Sequence, residues 1–491
     1  MDVKSPIDAE LWERIPGEAQ VALLAVFADL AARIAQLEQT VGEQQAELER
    51  LRKNSSNSSF PPSSDKPDFK RARPKKRGQR NRGGQKGHDK HERRLVPIEH
   101  VDTVEPCKPT TCNDCGEPLG GDDPDFERRQ VWEIPPLTPE VTEYQVHTLK
   151  CSCCGGRTRG ALPEGVGRGC FGPWLTGLIG LLTGVCRLSK RSIQRLLLEV
   201  FGLEISTGQI CRLQAQLANA LEPGVREITD YVRQRPANVD ETGWKEQAKR
   251  CWLWVAAVKG AVLFLIRPSR GAKVLKEIVG PDYAHVVTSD RAKAYDTLPL
   301  ELRQLCWAHL DRDFQAMIDR DNRGSPIGKR LCKAVDQLFQ GWRKVRDRTW
   351  SRRTFQRRLP ALRGEFVSAF EFGRGCACPK TAAVCRELLA REEALWTFAH
   401  VDGVEPTNNE GEREIRHPVA YRKLCYGTDS AQGSKFVGNI MTVVGTLRRQ
   451  DRAALPFLAA CCAAFRKATP PPSPFIPPAL NASIESAAIS S

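Results

Sequence analysis

Three acidic residues, distant from one another in the sequence, have the clearest potential for chemistry. Asp240 lies within the run ANVDETGW, and Asp290 closes the apolar run AHVVTSD. Glu412 lies in PTNNEGEREIRHP, where Thr407 or Asn408 can cap a helix. Carboxylate oxygens are the ligands that Mg²⁺ prefers, and two such ions about 3.5–4 Å apart catalyse phosphodiester chemistry. We therefore expect these acids to hold two Mg²⁺ ions, for which Mn²⁺ can substitute.

The helix predicted to carry Glu412 also presents cations and rival acids. Glu410 competes for the role of third carboxylate, and Glu414 is a weaker competitor. Glu412 and Arg416 are four residues apart, so they share one helix face. That face would present an acid to metal and a guanidinium to phosphate. The basic residues expected to neutralise phosphates here are Arg413, Arg416, Arg422 and Lys423.

Two Cys-x-x-Cys pairs predict a second kind of metal site. Cys112 with Cys115, and Cys151 with Cys154, offer four thiolates for a tetrahedral, structural Zn²⁺. Strand-like runs lie between the pairs, RRQVWEIP and VTEYQVHTLK, and a hairpin there would form a zinc ribbon. The gap of 35 residues is longer than usual, and Cys107 and Cys153 are alternative ligands. A site closed by four thiolates would have no catalytic water.

The charge of the chain predicts a polyanionic partner. The net charge is +15, and residues 66–94 alone contribute +10, with 13 Lys or Arg against 3 acids. Such a segment gains affinity for double-stranded DNA by releasing counterions from phosphates, without reading sequence. The alternative is a solvated charge run. The predicted DNA-binding residues of this basic arm are Lys70, Arg71, Arg73, Lys75, Lys76, Arg77, Arg80, Arg82 and Lys86.

The elements around the two aspartates predict a ribonuclease-H-like α/β core. From Pro236 the pattern is strand, strand, strand, helix, strand, with Asp240 in the first strand and Asp290 closing the fourth. Such a fold places the first and fourth strands side by side, so the two aspartates would converge. The 121 residues between Asp290 and Glu412 are more than a simple crossover between strands needs. Their helical sequence pattern predicts a helical insertion.

The N-terminal region has the seven-residue repeat of a coiled coil. One series is Phe27, Ile34, Val41 and Leu48, and a second is Leu23, Leu30, Leu37, Gln44 and Leu51. The two series form an apolar seam that favours a homo-oligomer over a helix packed on its own chain. The longest apolar stretch elsewhere, Trp174–Cys186, is too short to span a bilayer, and no secretion leader is recognisable. We therefore expect a cytoplasmic, nucleoid-associated protein with reduced thiols and no membrane partner.

These patterns divide the chain into a multidomain α+β protein. Residues 168–228 are predicted to be helical. Their pattern fits a helix-turn-helix and an ordinary helical hairpin about equally well. The predicted segments are a coiled coil (19–52), a linker and basic arm (53–94), a zinc ribbon (95–165), a helical region (168–228), a catalytic core (232–450) with its insertion at about 299–404, and a disordered tail (468–491).

Several motifs together resemble one known family. KNSSNSSFPPSSD, RGGQKGH, the paired Cys-x-x-Cys, VDET, SDRAKAYD, CWAHLDRDF and TNNEGEREIRHP occur in the order found in the insertion-sequence-66 transposases, and they cover most of residues 19–450. The resemblance implies a DDE triad at Asp240, Asp290 and Glu412. Asp311 and Asp313 depart from the family, which more often has basic or neutral residues there. His309, in the same motif, either contacts DNA or is a core or capping histidine.

The resemblance implies an enzyme that cleaves the ends of an insertion sequence and joins the freed 3′-hydroxyl to target DNA. Its partners would be double-stranded DNA at the element ends and target, and accessory transposition proteins. Two alternatives stay open. One is an inactive, transposase-derived DNA-binding protein. The other is a ribonuclease-H-like nuclease that cuts DNA without joining strands.

Overall fold

The structure is a computed structural model that describes residues 9–58, 65, 93–167 and 169–475. The chain separates into two compact units. One contains residues 1–69, 144–193 and 206–491, and the other contains residues 70–143 and 194–205. The predicted DNA-binding residues of the basic arm, from Lys70 to Lys86, lie outside the described residues.

A short helix, α1 (Ala9–Glu13), precedes the long helix α2 (Gly17–Arg52). The predicted apolar seam lies on α2. Leu23 and Phe27 are half-buried, and the apolar side chains after them are exposed: the accessible fraction is 56% for Ile34 and 63% for Leu37. One 18-residue window of α2 has a mean hydropathy of 1.5, enough by length and composition alone to cross a membrane. Among the described residues, no other helix meets that test.

The cysteine region contains less strand than the sequence predicts. Strands β1 (Thr148–Lys150) and β2 (Arg157–Arg159) pair antiparallel around Cys151 and Cys154. The run RRQVWEIP forms no strand, and its Val131 and Ile134 are 86% and 76% exposed. The hairpin predicted between the two cysteine pairs is therefore wrong, since the observed strands pair around the second cysteine pair. The apolar side chains of RRQVWEIP have no sheet to pack against.

Four helices lead into the sheet: α3 (Pro173–Gly184), α4 (Lys190–Phe201), α5 (Thr207–Ala220) and α6 (Glu222–Arg233). Ser206 caps α5, because its hydroxyl accepts the backbone N–H of Gln209 at 3.1 Å. Between α4 and α5 the chain turns at Gly202, whose φ of 62° suits glycine.

Five strands form the main sheet, in the order β5-β4-β3-β6-β7. The first three in sequence are antiparallel, and β6 and β7 run parallel to β3. Apolar residues fill the central strands, so β4 is buried on both faces along most of its length. The strands are β3 (Ala237–Glu246), β4 (Lys249–Val258), β5 (Ala261–Arg267), β6 (Val287–Ser289) and β7 (Arg303–Leu305), with α7 (Ala272–Val279) between β5 and β6.

A helical insertion follows β7 and has its own aromatic core, in which Trp307 packs on Phe366 and Trp396. The last strand, β7, lies inside the range predicted as insertion, so the sheet extends further than the sequence analysis expected. A three-residue strand is too short for a periodicity to reveal. The helices are α8 (Trp307–Asp319), α9 (Ser325–Arg346), α10 (Arg352–Arg374), α11 (Pro379–Ala390) and α12 (Thr397–His400).

Three more helices complete the chain: α13 (Asn409–Cys425), α14 (Ala431–Arg448) and α15 (Ala454–Arg466). Helix α14 covers the sheet, and the hydroxyls of Thr442 and Thr446 accept the backbone N–H groups of Phe264 and Val262. The first residues of the predicted tail pack on the rest of the chain, since the ring of Phe475 stacks on that of Tyr231 with ring centroids 4.3 Å apart. Residues 476–491 lie outside the described residues.

Candidate active site

The register of the sheet places two of the predicted acids beside each other. Ala237 of β3 pairs with Val287 of β6 in a parallel ladder. Asp240 of β3 and Asp290, which directly follows the end of β6, each lie three residues beyond that pair. Equivalent positions on parallel strands direct their side chains to the same face. The register therefore places Asp240 and Asp290 near each other at the end of β6.

Glu412 approaches the same place from the first turn of α13. Asn408 precedes this helix and is fully buried. Its side-chain amide does not cap the helix but donates to the carbonyl of Val239, at 2.9 Å. Its own carbonyl accepts the N–H of Glu412 at 3.0 Å. One residue thus links the helix turn that carries Glu412 to the strand position next to Asp240.

The electrostatics of Asp240 reflect this convergence. Burial raises the pKa of Asp240 well above its ordinary value, and the carboxylates of Glu241, Asp290 and Glu412 raise it further. The backbone N–H of Glu241, which donates to Asp240 at 2.8 Å, opposes the shift only in part. Carboxylates that interact in this way are costly to ionise together. Their oxygens are the donor type that a divalent ion such as Mg²⁺ binds.

Glu241 is a fourth acid of the cluster, which the sequence analysis missed. Its side chain is 1% exposed and pairs with Arg270 at 2.6 Å. The hydroxyl of Tyr295 donates to its other carboxylate oxygen at 2.5 Å. Burial raises the pKa of Glu241, with a further contribution from Asp290. The signal was its place in the motif VDET, but its partners come from distant segments of the chain.

Two arginines partly neutralise the acids. Arg270 reaches Asp290 at 3.6 Å in addition to Glu241, and Arg312 of α8 donates to Glu412 at 2.9 Å. Neither arginine was among the predicted residues. Both lie outside the helix that carries Glu412, so helix periodicity could not find them.

The rival acids on α13 point elsewhere. Glu410 and Glu414 both pair with Arg449, at 3.4 and 3.0 Å. Glu412, by contrast, faces Arg312 and His309 of α8. Side chains at 410 and 414 share one helix face, and residue 412 lies on another. This division favours Glu412 over its two competitors.

The predicted phosphate-binding residues of α13 fall into two groups. Arg413, Arg416 and Lys423 are exposed. Arg422 instead donates to the backbone carbonyl of Gly243 and, at 3.3 Å, to the hydroxyl of Thr242. Burial lowers the pKa of Arg422. We correct the prediction for this residue, because its guanidinium is bonded to the backbone and a side chain of β3.

The motif CWAHLDRDF contributes a compact group of possible metal ligands. One ligand atom from each of Cys306, His309 and Glu412 lies within 4.8 Å of the others. Nδ1 of His309 is 3.6 Å from Glu412. Asp313, one of the two acids that depart from the family pattern, forms an ion pair with Arg291 at 2.8 Å. Among the described residues, no other group of three or more such ligands forms.

Each cysteine pair forms a tight turn of the same design. The N–H of Gly116 donates to the carbonyl of Cys112 at 3.0 Å, and the N–H of Gly155 donates to that of Cys151 at 3.0 Å. Hydrogen bonds from the residues that follow each first cysteine lower the pKa of Cys112 and Cys151. A lowered thiol pKa favours the thiolate, which is the form that binds Zn²⁺.

Three regions of the chain match protein-family models. No curated protein matches the chain. Residues 109–155 match the zinc-finger binding domain of transposase IS66, and residues 8–94 match a family of unknown function. Residues 190–436, just over half of the chain, match the transposase IS66 family. The chain, with its five-stranded sheet and its zinc-finger region, therefore belongs to the IS66 transposase family.

Proposed function

We propose that this protein is a DNA transposase that cleaves the ends of an insertion sequence and joins the 3′-hydroxyl to target DNA. The observation that carries the proposal is the electrostatic interaction of Asp240 with Asp290 and Glu412, both of which raise its pKa. The order of the sheet, three antiparallel strands followed by two parallel ones, supports a ribonuclease-H-like core. The family match supports nucleic-acid chemistry in general.

Asp240, Asp290 and Glu412 would hold two Mg²⁺ ions, or Mn²⁺ in their place. When bound, such ions activate the attacking hydroxyl and stabilise the leaving oxygen of an in-line displacement. The chain's own residues arrange the acids: Asn408 fixes the helix turn of Glu412 beside Asp240. Exposed Arg413 and Arg416 lie on the same helix, where guanidinium groups can bind DNA phosphates.

The other regions would bind and assemble the DNA ends. The residues Lys70, Arg71, Arg73, Lys75, Lys76, Arg77, Arg80, Arg82 and Lys86 would contact phosphates. Cys112, Cys115, Cys151 and Cys154 would hold a structural Zn²⁺. The exposed apolar seam of α2 would be covered by a second copy of the chain in a coiled coil, because the seam keeps a seven-residue repeat over its length.

Single-turnover cleavage of end-bearing DNA with Mg²⁺ tests the proposal. We expect Asp240→Asn and Asp290→Asn to slow cleavage by at least the roughly 10²-fold that loss of one preorganised electrostatic contact costs. Glu414→Gln is the matched control, because Glu414 pairs with Arg449 away from the cluster. Variants that cut as fast as the parent would exclude this triad.

The same assay separates the alternatives. An inactive, transposase-derived protein would bind the DNA ends but cleave them in neither Mg²⁺ nor Mn²⁺. A nuclease would release cut ends without any product joined to target DNA. Only a transposase gives the joined product, so appearance of that product with the parent and its loss with Asp290→Asn would support strand transfer.

A further inference from the structure

The ligand group of Cys306, His309 and Glu412 has a chemistry that the proposed magnesium site does not use. Its members supply one sulfur, one imidazole nitrogen and one carboxylate oxygen. Mg²⁺ takes oxygen ligands, whereas thiolate and imidazole select Zn²⁺ and similar ions. A site of three protein ligands of this kind leaves a fourth position of the tetrahedron for water or substrate.

The local fold brings these ligands together at the junction of two helices. Cys306 immediately precedes α8, and His309 lies in the first turn of that helix. Glu412 lies in the first turn of α13. The N–H of Trp307 donates to the carbonyl of Pro406 at 2.9 Å, which holds the two helix starts against each other. The ligands therefore lie on rigid elements, which is what a metal site requires.

Two atoms of the group suit a metal ion. Nδ1 of His309 is buried, and within the described part of the chain it has no hydrogen-bond partner. The sulfur of Cys306 is buried and accepts the N–H of Asn408 at 3.1 Å. A backbone N–H that donates to a ligand sulfur is the kind of outer hydrogen bond that orients a metal ligand. Burial lowers the pKa of His309, so its imidazole is neutral, as a ligand must be.

We propose that Cys306, His309 and Glu412 form a binding site for a thiophilic divalent cation of the Zn²⁺ class. Binding would form a bond from the metal to the Cys306 sulfur and release the thiol proton to solvent. Burial raises the pKa of Cys306 to about 11, so this proton is present before the metal binds. Arg312, which pairs with Glu412 at 2.9 Å, would be displaced from the carboxylate.

The shared ligand links this site to the catalytic one, a step that rests on the proposed function. A Glu412 carboxylate bound to a thiophilic ion beside Cys306 and His309 is a poorer ligand for Mg²⁺. We therefore expect Zn²⁺ to compete with Mg²⁺ and to inhibit Mg²⁺-dependent cleavage.

Cobalt titration of the full-length protein, with its zinc-finger cysteines already loaded with Zn²⁺, tests the site directly. Co²⁺ bound to a thiolate absorbs in the near ultraviolet, so a new band would report an occupied thiolate site. We expect Cys306→Ser to weaken Co²⁺ binding by more than the roughly 10–100-fold that loss of an outer hydrogen-bond partner costs. His309→Gln should weaken it as well.

Cys461→Ser is the matched control. Cys461 is also buried, with a pKa raised to about 12, but it lies on α15. A band that persists in Cys306→Ser, or that never appears in the folded parent, would overturn the proposal. Thermal unfolding of each variant verifies that it folds.

Inhibition by Zn²⁺ is measured separately, as the Mg²⁺ concentration that gives half-maximal cleavage. The parent should need more Mg²⁺ in the presence of Zn²⁺, and Cys306→Ser should not. The cobalt band does not depend on cleavage. A protein that binds Co²⁺ at this site but never cuts DNA would therefore refute the proposed function and support the metal site.

Discussion

Asn408→Ala is the substitution that most directly tests how the fold positions Glu412. The side chain of Asn408 donates to the carbonyl of Val239, next to Asp240 in β3, at 2.9 Å. Alanine keeps the backbone bond to the N–H of Glu412 but removes the amide. The helix loses no capping bond, because this side chain makes none. The substitution therefore removes one tie between α13 and β3, together with the Oδ1 of Asn408, which is buried and has no hydrogen-bond partner among the described residues.

The expected cost follows from burial. Both Val239 and Asn408 are fully buried, so the carbonyl loses its donor where water does not replace it readily. A buried acceptor left without a partner costs about 1–3 kcal/mol. A displacement of catalytic groups of about 1 Å can slow a reaction by about 10²-fold. We expect slower single-turnover cleavage, and a higher Mg²⁺ requirement because Glu412 is less well positioned.

Gly411→Ala gives an independent route to the same result. A Cβ at residue 411 would lie 2.8 Å from Oδ1 of Asn408, so the amide would have to move. Alanine is the better helix former by about 1 kcal/mol, so any loss of cleavage would not come from a weaker helix. Asn409→Ala is the control, since Asn409 is exposed on the adjacent position.

The assay is single-turnover cleavage across a Mg²⁺ titration, with thermal unfolding measured in parallel. Our reasoning would be refuted if Asn408→Ala and Asn409→Ala gave the same rates and the same Mg²⁺ midpoints. A stability loss without a change in the Mg²⁺ midpoint would assign Asn408 a purely structural role.

Two further predictions concern pH and assembly. The pKa of Asp240 is raised in the folded protein, so stability from its neutral form is present below about pH 4 and declines as pH rises through the folded pKa. With a chelator at pH 7–8, Asp240→Asn should therefore have a higher melting temperature than the parent. Each 1 kcal/mol of added stability corresponds to about 2–4 °C. Equal melting temperatures would contradict the argument that burial of the charged carboxylate is costly. In the proposed coiled coil, taken as a dimer, Leu37→Asp would remove two buried leucines at about 1.5–3 kcal/mol each, which raises the dissociation constant at least about 100-fold. Sedimentation equilibrium should show this loss of assembly but no change for Gln36→Asp on the polar face, and unaltered assembly in Leu37→Asp would exclude the seam.

The sequence pattern predicted the neighbourhood of Asp240 and Asp290 because strand order and strand ends are local signals. Runs of apolar residues mark β4 and β5, Asp240 lies in β3, and Asp290 directly follows β6. The short strand β7 escaped prediction because three residues have no measurable period. The strand expected in RRQVWEIP failed for a different reason: β-forming residues need a partner strand, and none is present there.

The partners of the acids could not be read from the sequence. Arg270 lies after β5 and Arg312 lies on α8, and only the folded sheet brings them to Glu241 and Glu412. Arg422 was expected to face DNA because it is basic and lies on the same helix as Glu412. Helix periodicity predicted the face of Arg422 only roughly. The contact of its guanidinium with the carbonyl of Gly243 is a tertiary feature, which the sequence pattern does not reveal.

Placement of arginines around the acids explains how such a cluster can fold before any cation binds. Asp240 and Glu241 lie beside Asp290, and like charges at this distance raise one another's pKa. Arg270 offsets part of that repulsion, yet its side chain is 44% exposed and lies at the edge of the cluster. No arginine pairs directly with Asp240 among the described ion pairs, which leaves the central acid the least neutralised. Of the acids in the cluster, Asp240 would therefore gain most from the proposed divalent ion.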